Sequence, residues 1–173
     1  PVVDLDGNLD HDIAKKAGDT KNAERYLATA KTYNSEIEST MFTTQGNLKS
    51  ENSDGEYFIR IGQDKDPNSS TTLNANNGRK GFDKKQILDG GFLELVRYGV
   101  RDALAPSIVK TLPEYDDETL VDNLQVRYTF NFADGSGSFP GYRRYGNDGY
   151  GEDEVTGNNY AEGGNNTPGQ RGR

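Results

Sequence analysis

Apolar positions recur at steps of three and four from Ala23 through Tyr26, Leu27, Ala30, Tyr33 and Ile37 to Met41. This spacing lays one stripe along a helix and predicts a helix over 20–41, opened by Asp19 or Thr20 as N-cap. Before it, residues 1–12 mix four aspartates and a glycine with Val and Leu, which is turn chemistry rather than a periodic element. The run Tyr57-Phe58-Ile59-Arg60-Ile61 is aromatic and β-branched and bounded by Ser53-Asp54-Gly55 and Gly62, so it predicts a strand. Residues 62–81 are polar and loop-like.

A second helix is expected over 83–98. Asp83 and Gln86 have capping-box spacing, Ile87, Leu88, Leu95 and Val96 share a face, and Gly99 stops it. Gly90-Gly91 inside this pattern sacrifices about 1 kcal/mol of helix propensity per glycine, a loss tolerated where another backbone packs close. Pro106 suits the first turn of a third helix carrying Ile108, Val109 and Leu112, which Pro113 is expected to close. Leu124, Val126, Tyr128, Phe130 and Phe132 alternate with polar residues as in a strand. Beyond them the chain is Gly, Asn, Asp and Tyr, and Val155 is the one aliphatic residue larger than alanine in 141–173, so this stretch is expected to be disordered or laid on another surface.

Composition thins the expected core. Of 173 residues 31% are hydrophobic, and ten of the seventeen aromatics are tyrosines, whose hydroxyls need water or a partner. The fold is therefore loop-rich, or part of its core lies elsewhere. A net charge of -8 opposes a polyanion, so nucleic acid is not an expected partner. No apolar run is long enough for a bilayer, and the first residues have no signal-peptide pattern, so the chain reads as soluble with no membrane partner. The absence of cysteine removes disulfides, thiolate metal sites and thiol catalysis. His11 is the single histidine, which argues against histidine metal clusters and Ser-His-Asp triads.

The densest polar and aromatic cluster is 142–152, Tyr142-Arg143-Arg144-Tyr145-Gly146-Asn147-Asp148-Gly149-Tyr150-Gly151-Glu152. Tyrosine faces suit the C–H surface of a sugar and Arg, Asn and Asp suit its vicinal hydroxyls, although the same composition also serves a plain Gly/Tyr loop. Glu114 with Asp116 or Asp117, and Asp148 with Glu152, are carboxylates close enough in sequence to consider as acid and base. The unshielded run Glu114-Tyr115-Asp116-Asp117-Glu118 reads instead as a solvated face. Residues 4–10 and 64–68 both begin like an EF-hand loop, but each lacks the sixth-position glycine and the twelfth-position glutamate, so turn formation is the stronger reading and a structural calcium the weaker.

The helix Asp89-Gly90-Gly91-Phe92-Leu93-Glu94-Leu95-Val96-Arg97-Tyr98-Gly99-Val100 resembles the "GFLELVRLGV" helix of bacterial glucoamylases and glucodextranases of glycoside hydrolase family 15. Residues 108–113 resemble the segment after it, and 142–152 the family's "YRYN-DGYGE" loop. Gly169-Gln170-Arg171-Gly172-Arg173 resembles its "GRGR", and 17–30 its "GDTASAxxWLATAD" helix. PVVDLDGNLD does not match, which leaves 1–12 as an unmatched leader, and the family's tryptophans are absent.

The resemblance implies a mainly α chain: a segment of an (α/α)6 barrel with long loops and one or two short strands, residues 133–173 lining the active site. It implies part of an exo-acting, inverting α-glucosidase releasing glucose from the non-reducing ends of α-glucans, with no cofactor. Both catalytic glutamates would lie outside this chain. Arg144 would bind the sugar in the subsite next to the cleaved bond, with Tyr145, Asp148, Gly149 and Tyr150 shaping its loop. The implied partners are an α-glucan and the rest of the barrel or a second chain, and the implied setting is extracellular or periplasmic in a bacterium. Rival readings are a glucan-transferring relative of dextran dextrinase type, a non-catalytic carbohydrate-binding module, and a partner-dependent structural fragment.

Overall fold

The computed structural model describes residues 8–48, 50–60, 64–73, 81–121, 124–131 and 135–147. Four helices, α1 (Asn8–Lys16), α2 (Thr20–Met41), α3 (Phe92–Arg97) and α4 (Pro106–Tyr115), carry most of the regular structure. The described residues also form three two-stranded antiparallel ribbons, two between α2 and α3 and one after α4: β1 (Phe42–Thr43) with β2 (Tyr57–Phe58), β3 (Thr72–Leu73) with β4 (Phe82–Asp83), and β5 (Arg127–Asn131) with β6 (Ser138–Tyr142). No described helix is long and apolar enough to cross a membrane.

Helix α2 has the predicted bounds, and Asp19 caps it by accepting from the Asn22 backbone N–H at 3.1 Å. Its stripe is less buried than an independent core helix requires, since Ala23 alone is fully buried and Tyr33 is 68% exposed. The turn-like reading of 1–12 needs correction, because α1 begins at Asn8. Helix α1 folds back on α2, with Ala14 and Ala23 buried at the contact. His11 Nδ1 donates to the Ala23 carbonyl at 3.1 Å, so this imidazole has a helix-joining role.

The helix expected over 83–98 is divided. Asp83 and Gln86 do form the capping box, but it opens a single 3-10 turn, Lys84–Gln86. Residues 87–89 then run extended, Gly90-Gly91 turn, and α3 begins only at Phe92. Tertiary pairing overrides the helical pattern: Arg60 N donates to Ile87 O at 2.9 Å, Gly146 N to Leu88 O at 2.9 Å and Gly90 N to Arg144 O at 2.7 Å. Two adjacent glycines lower the local helix propensity enough for these ladder bonds to win. The close backbone approach expected there is found, since a Cβ on Gly90 would lie 3.1 Å from Arg144 O.

Pro113 does not close α4, which continues to Tyr115. In the last turn its missing N–H removes one bond, and the burial of Glu114 and Tyr115 keeps that turn in place. Of the two predicted strands, the first is shorter than expected: Tyr57–Phe58, with Ile59 bridged to Leu88. The second begins at Arg127 after the buried Leu124 and Val126. The polar stretch 62–81 holds the strand Thr72–Leu73, whose Leu73 is buried.

The core gathers Tyr57, Ile59, Ile87, Leu88, Phe92 and Val126 among others between α2, α4 and the ribbons. Through it runs a continuous aromatic series. Phe42 meets Phe58 edge-on at 5.2 Å, Phe58 stacks on Phe92 at 6.1 Å, Phe92 meets Tyr115 edge-on at 5.3 Å, and Tyr115 stacks on Tyr142 at 5.0 Å. Arg101 ties the chain beyond α3 to α2, with Nε and Nη2 donating to the two carboxylate oxygens of Glu38 at 2.7 Å each. Leu104 is 82% exposed, and Val109 and Leu112 on α4 are exposed as well.

Candidate functional site

Three segments far apart in sequence, 59–60, 87–90 and 144–146, lie side by side through the ladder bonds just described, with Asp89 bridged to Tyr145. This arrangement sorts the two adjacent arginines of the sequence cluster. Arg143 turns inward, 5% exposed, with its Nη1 donating to Gln125 O at 3.3 Å and its guanidinium 5.5 Å from the Tyr128 ring. Arg144 turns outward and is exposed, while its backbone carbonyl is held by Gly90. The ladder thus presents one exposed guanidinium from a fixed point of the backbone.

Tyr145 is 5% exposed and has the Arg60 guanidinium over its ring, 3.5 Å from the centroid. Its ring supports the loop from within. Gly146 and Asn147 follow it and are buried, Asn147 with φ of +56°, a left-handed turn that asparagine tolerates better than most residues. Asp148, Gly149 and Tyr150, and with them Glu152, lie outside the described residues. Beside the ladder opens a cleft of about 220 Å³, mostly apolar, with Phe58, Phe92 and Leu95 in its walls and Arg60 and Asp89 as its charged lining. Asp89 Oδ1 accepts from Gly91 N at 2.6 Å at the start of α3. Sequence reasoning did not single out Arg60 or Asp89: each sits beside apolar neighbours, and only the ladder brings them to the 144–146 loop.

The acidic run 114–118 is not a uniformly solvated face. Glu114 is fully buried and Asp117 is 5% exposed, while Asp116 and Glu118 face solvent. The final turn of α4 packs inward, and Asp117 accepts from the Thr119 backbone N–H at 2.7 Å and from the Ser50 hydroxyl. Among the described residues neither carboxyl oxygen of Glu114 has a hydrogen-bond partner of ordinary geometry, and burial pushes its pKa above the usual glutamate value, with the nearby Ser53 opposing the shift.

A group whose folded pKa is raised favours folding fully below its unfolded pKa and loses that contribution as pH rises through the folded value. Denaturation of the full-length protein is therefore expected to show Glu114→Gln gaining on the parent as pH climbs from about 4.5, with the difference levelling once Glu114 is ionised. A constant difference between the two melting curves across pH 4 to 8 would show that folding does not shift the Glu114 pKa.

The loop that begins like a calcium site holds a lysine. Lys84 is fully buried, and its ammonium donates to Asp64 Oδ1 at 2.5 Å, Asp66 O at 2.5 Å and Ser69 Oγ at 2.7 Å. The Lys84 ammonium, and after it the Ser69 hydroxyl, hold the Asp64 carboxyl well below the usual carboxylate range. The positive charge such a loop requires is thus part of the chain. No group of three His, Asp or Glu side chains placed to hold a metal occurs among the described residues. Of the first EF-like stretch, 4–7 lie outside the described residues and 8–10 are helical.

A bacterial glucoamylase solved in complex with acarbose matches this fold with a TM-score of 0.68 at 32% identity, covering 86% of this chain and 20% of that one. The match sets the class: this chain is a segment of an (α/α)6 barrel. The model of glycosyl hydrolases family 15 matches residues 10–162. A glucoamylase of Clostridium sp. (strain G0005) is 34% identical over 144 residues, which are 83% of this chain and 18% of that protein. The chain belongs to glycosyl hydrolases family 15 and spans about a fifth of the length of these relatives.

Proposed function

We propose that this segment supplies part of the sugar-binding wall of an exo-acting, inverting α-glucosidase that releases glucose from the non-reducing ends of α-glucans. The observation that carries the reading is the Arg143/Arg144 division, which leaves one guanidinium exposed on a backbone held by Gly90. A planar fork of donors suits two adjacent sugar hydroxyls, and a fixed point of attachment lowers the entropy lost on binding. Asp148, Gly149 and Tyr150 complete the loop in this proposal. The acid and base that protonate the leaving oxygen and activate water come from chain outside residues 1–173. No cofactor takes part, and the enzyme acts outside the cytoplasm of a bacterium.

Arg144→Ala in the full-length protein is expected to lower kcat/KM on maltose or isomaltose about 10- to 100-fold, the scale of a lost charge-assisted hydrogen bond. Most of this loss should appear in KM. Unchanged KM and kcat on both disaccharides would remove Arg144 from the site.

A further inference from the structure

We propose that Arg60 is a positioning residue for Arg144, acting through the ring of Tyr145; the inference rests on the reading of Arg144 as a sugar-binding residue. Arg60 and Tyr145 occupy the two outer segments of the ladder, with 87–90 between them. The Arg60 side chain therefore reaches across the middle segment to lie over the ring, 3.5 Å from its centroid. That is the separation of two flat groups in contact, and a guanidinium meets an aromatic face both as a cation and as a plane.

Hydrogen bonding does not account for this placement. Nη1 of Arg60 is buried and has no hydrogen-bond partner among the described residues. A buried donor without an acceptor is unfavourable, so an arginine on a partly open cleft would be expected to turn that nitrogen toward water. Its guanidinium stays over the ring because stacking and the fixed backbone hold it there. Arg60 N donates to Ile87 O at 2.9 Å, so the side chain starts from a fixed point.

The pressed ring belongs to the residue after Arg144. Arg144 O accepts from Gly90 N at 2.7 Å, and Gly146 N donates to Leu88 O at 2.9 Å, so the backbone on both sides of the Tyr145 ring is tied to the middle segment. Covering the ring from outside closes the clamp. Without the plate the Tyr145 ring gains freedom, the ladder bonds beside it loosen, and Arg144 is presented over a wider range of directions. The effect should fall on binding, because Arg60 acts on how Arg144 is held in the free protein and not on the reacting bond.

The test uses the full-length enzyme with maltose and isomaltose. Arg60→Met retains length and apolar contact but removes charge and plane, and it is expected to raise KM about tenfold with kcat within about twofold. Arg60→Lys, which keeps the charge without the plane, should give a smaller rise in KM. In an Arg144→Ala background, Arg60→Met should add no further rise, because the residue it positions is gone. An equal rise in both backgrounds, or none in the parent, overturns the proposal and leaves Arg60 a packing residue. Should Arg60→Met fail to fold, Arg60→Lys in both backgrounds decides by the same comparison. Arg144→Ala measured alone separates the two levels: if it leaves KM unchanged, the sugar-binding reading falls and the positioning role falls with it.

Discussion

Phe92→Ala is expected to lower the stability of the folded protein by about 3–5 kcal/mol. Phe92 is 3% exposed and its ring contacts both Phe58 and Tyr115, so it joins the β2 end of the aromatic series to the α4 end. Removing it deletes the transfer free energy of the ring and leaves a void between two aromatics that cannot close without moving strand β2 or α4. It also borders the cleft beside the ladder, so the void would open into that cleft. Chemical denaturation of the full-length protein measures the loss. A Phe92→Leu variant, which fills part of the volume, should recover more than half of it, and a Phe92→Ala loss below about 1 kcal/mol would show that the surroundings collapse into the space.

Gly146→Ala is expected to cost about 3 kcal/mol and, on the role proposed for Arg144, to raise KM for maltose as well. A Cβ built on Gly146 lies 2.4 Å from Leu124 O and 3.2 Å from Leu124 C. Both are backbone atoms of a buried residue, so no side-chain rotation relieves the overlap. Either the 124–126 segment or the 144–147 loop has to move, and loop movement breaks the Gly146 N to Leu88 O bond of 2.9 Å. The two measurements are the denaturation midpoint and KM for maltose. A midpoint that falls while KM holds would mean that Leu124 yields and the Arg144 loop stays in place. Unchanged values for both would contradict the close approach itself. Gly91→Ala is a useful contrast, because there the nearest atom is an Asp89 carboxylate oxygen at 2.8 Å, the end of a side chain that can rotate.

The sequence by itself determined those elements whose signals are local. The stripe from Ala23 to Met41 and the Asp19 cap produce α2 with its predicted bounds, because a helix of 22 residues is specified by its own spacing and cap. The capping box at Asp83 and Gln86 was equally legible, as was the glycine pair that admits another backbone. The motifs of family 15 were readable too, since they are strings of residue types.

What only the tertiary structure decided are the outcomes of competition between distant segments. The expected 83–98 helix breaks because 59–60 and 144–146 offer hydrogen bonds to 87–90, and no window around Ile87 contains those partners. Glu114 reads as one more carboxylate in an acidic run, and its burial follows from the side on which α4 meets the core. The loop after Asp64 reads as a turn that only begins like a calcium loop, and the ammonium that fills it comes from Lys84, twenty residues along the chain. Arg143 and Arg144 are adjacent and chemically identical, so only the path of the backbone through the ladder turns one inward and the other outward. Local propensity is a matter of a kilocalorie or less per residue, and a few long-range hydrogen bonds with two buried aliphatic side chains exceed it.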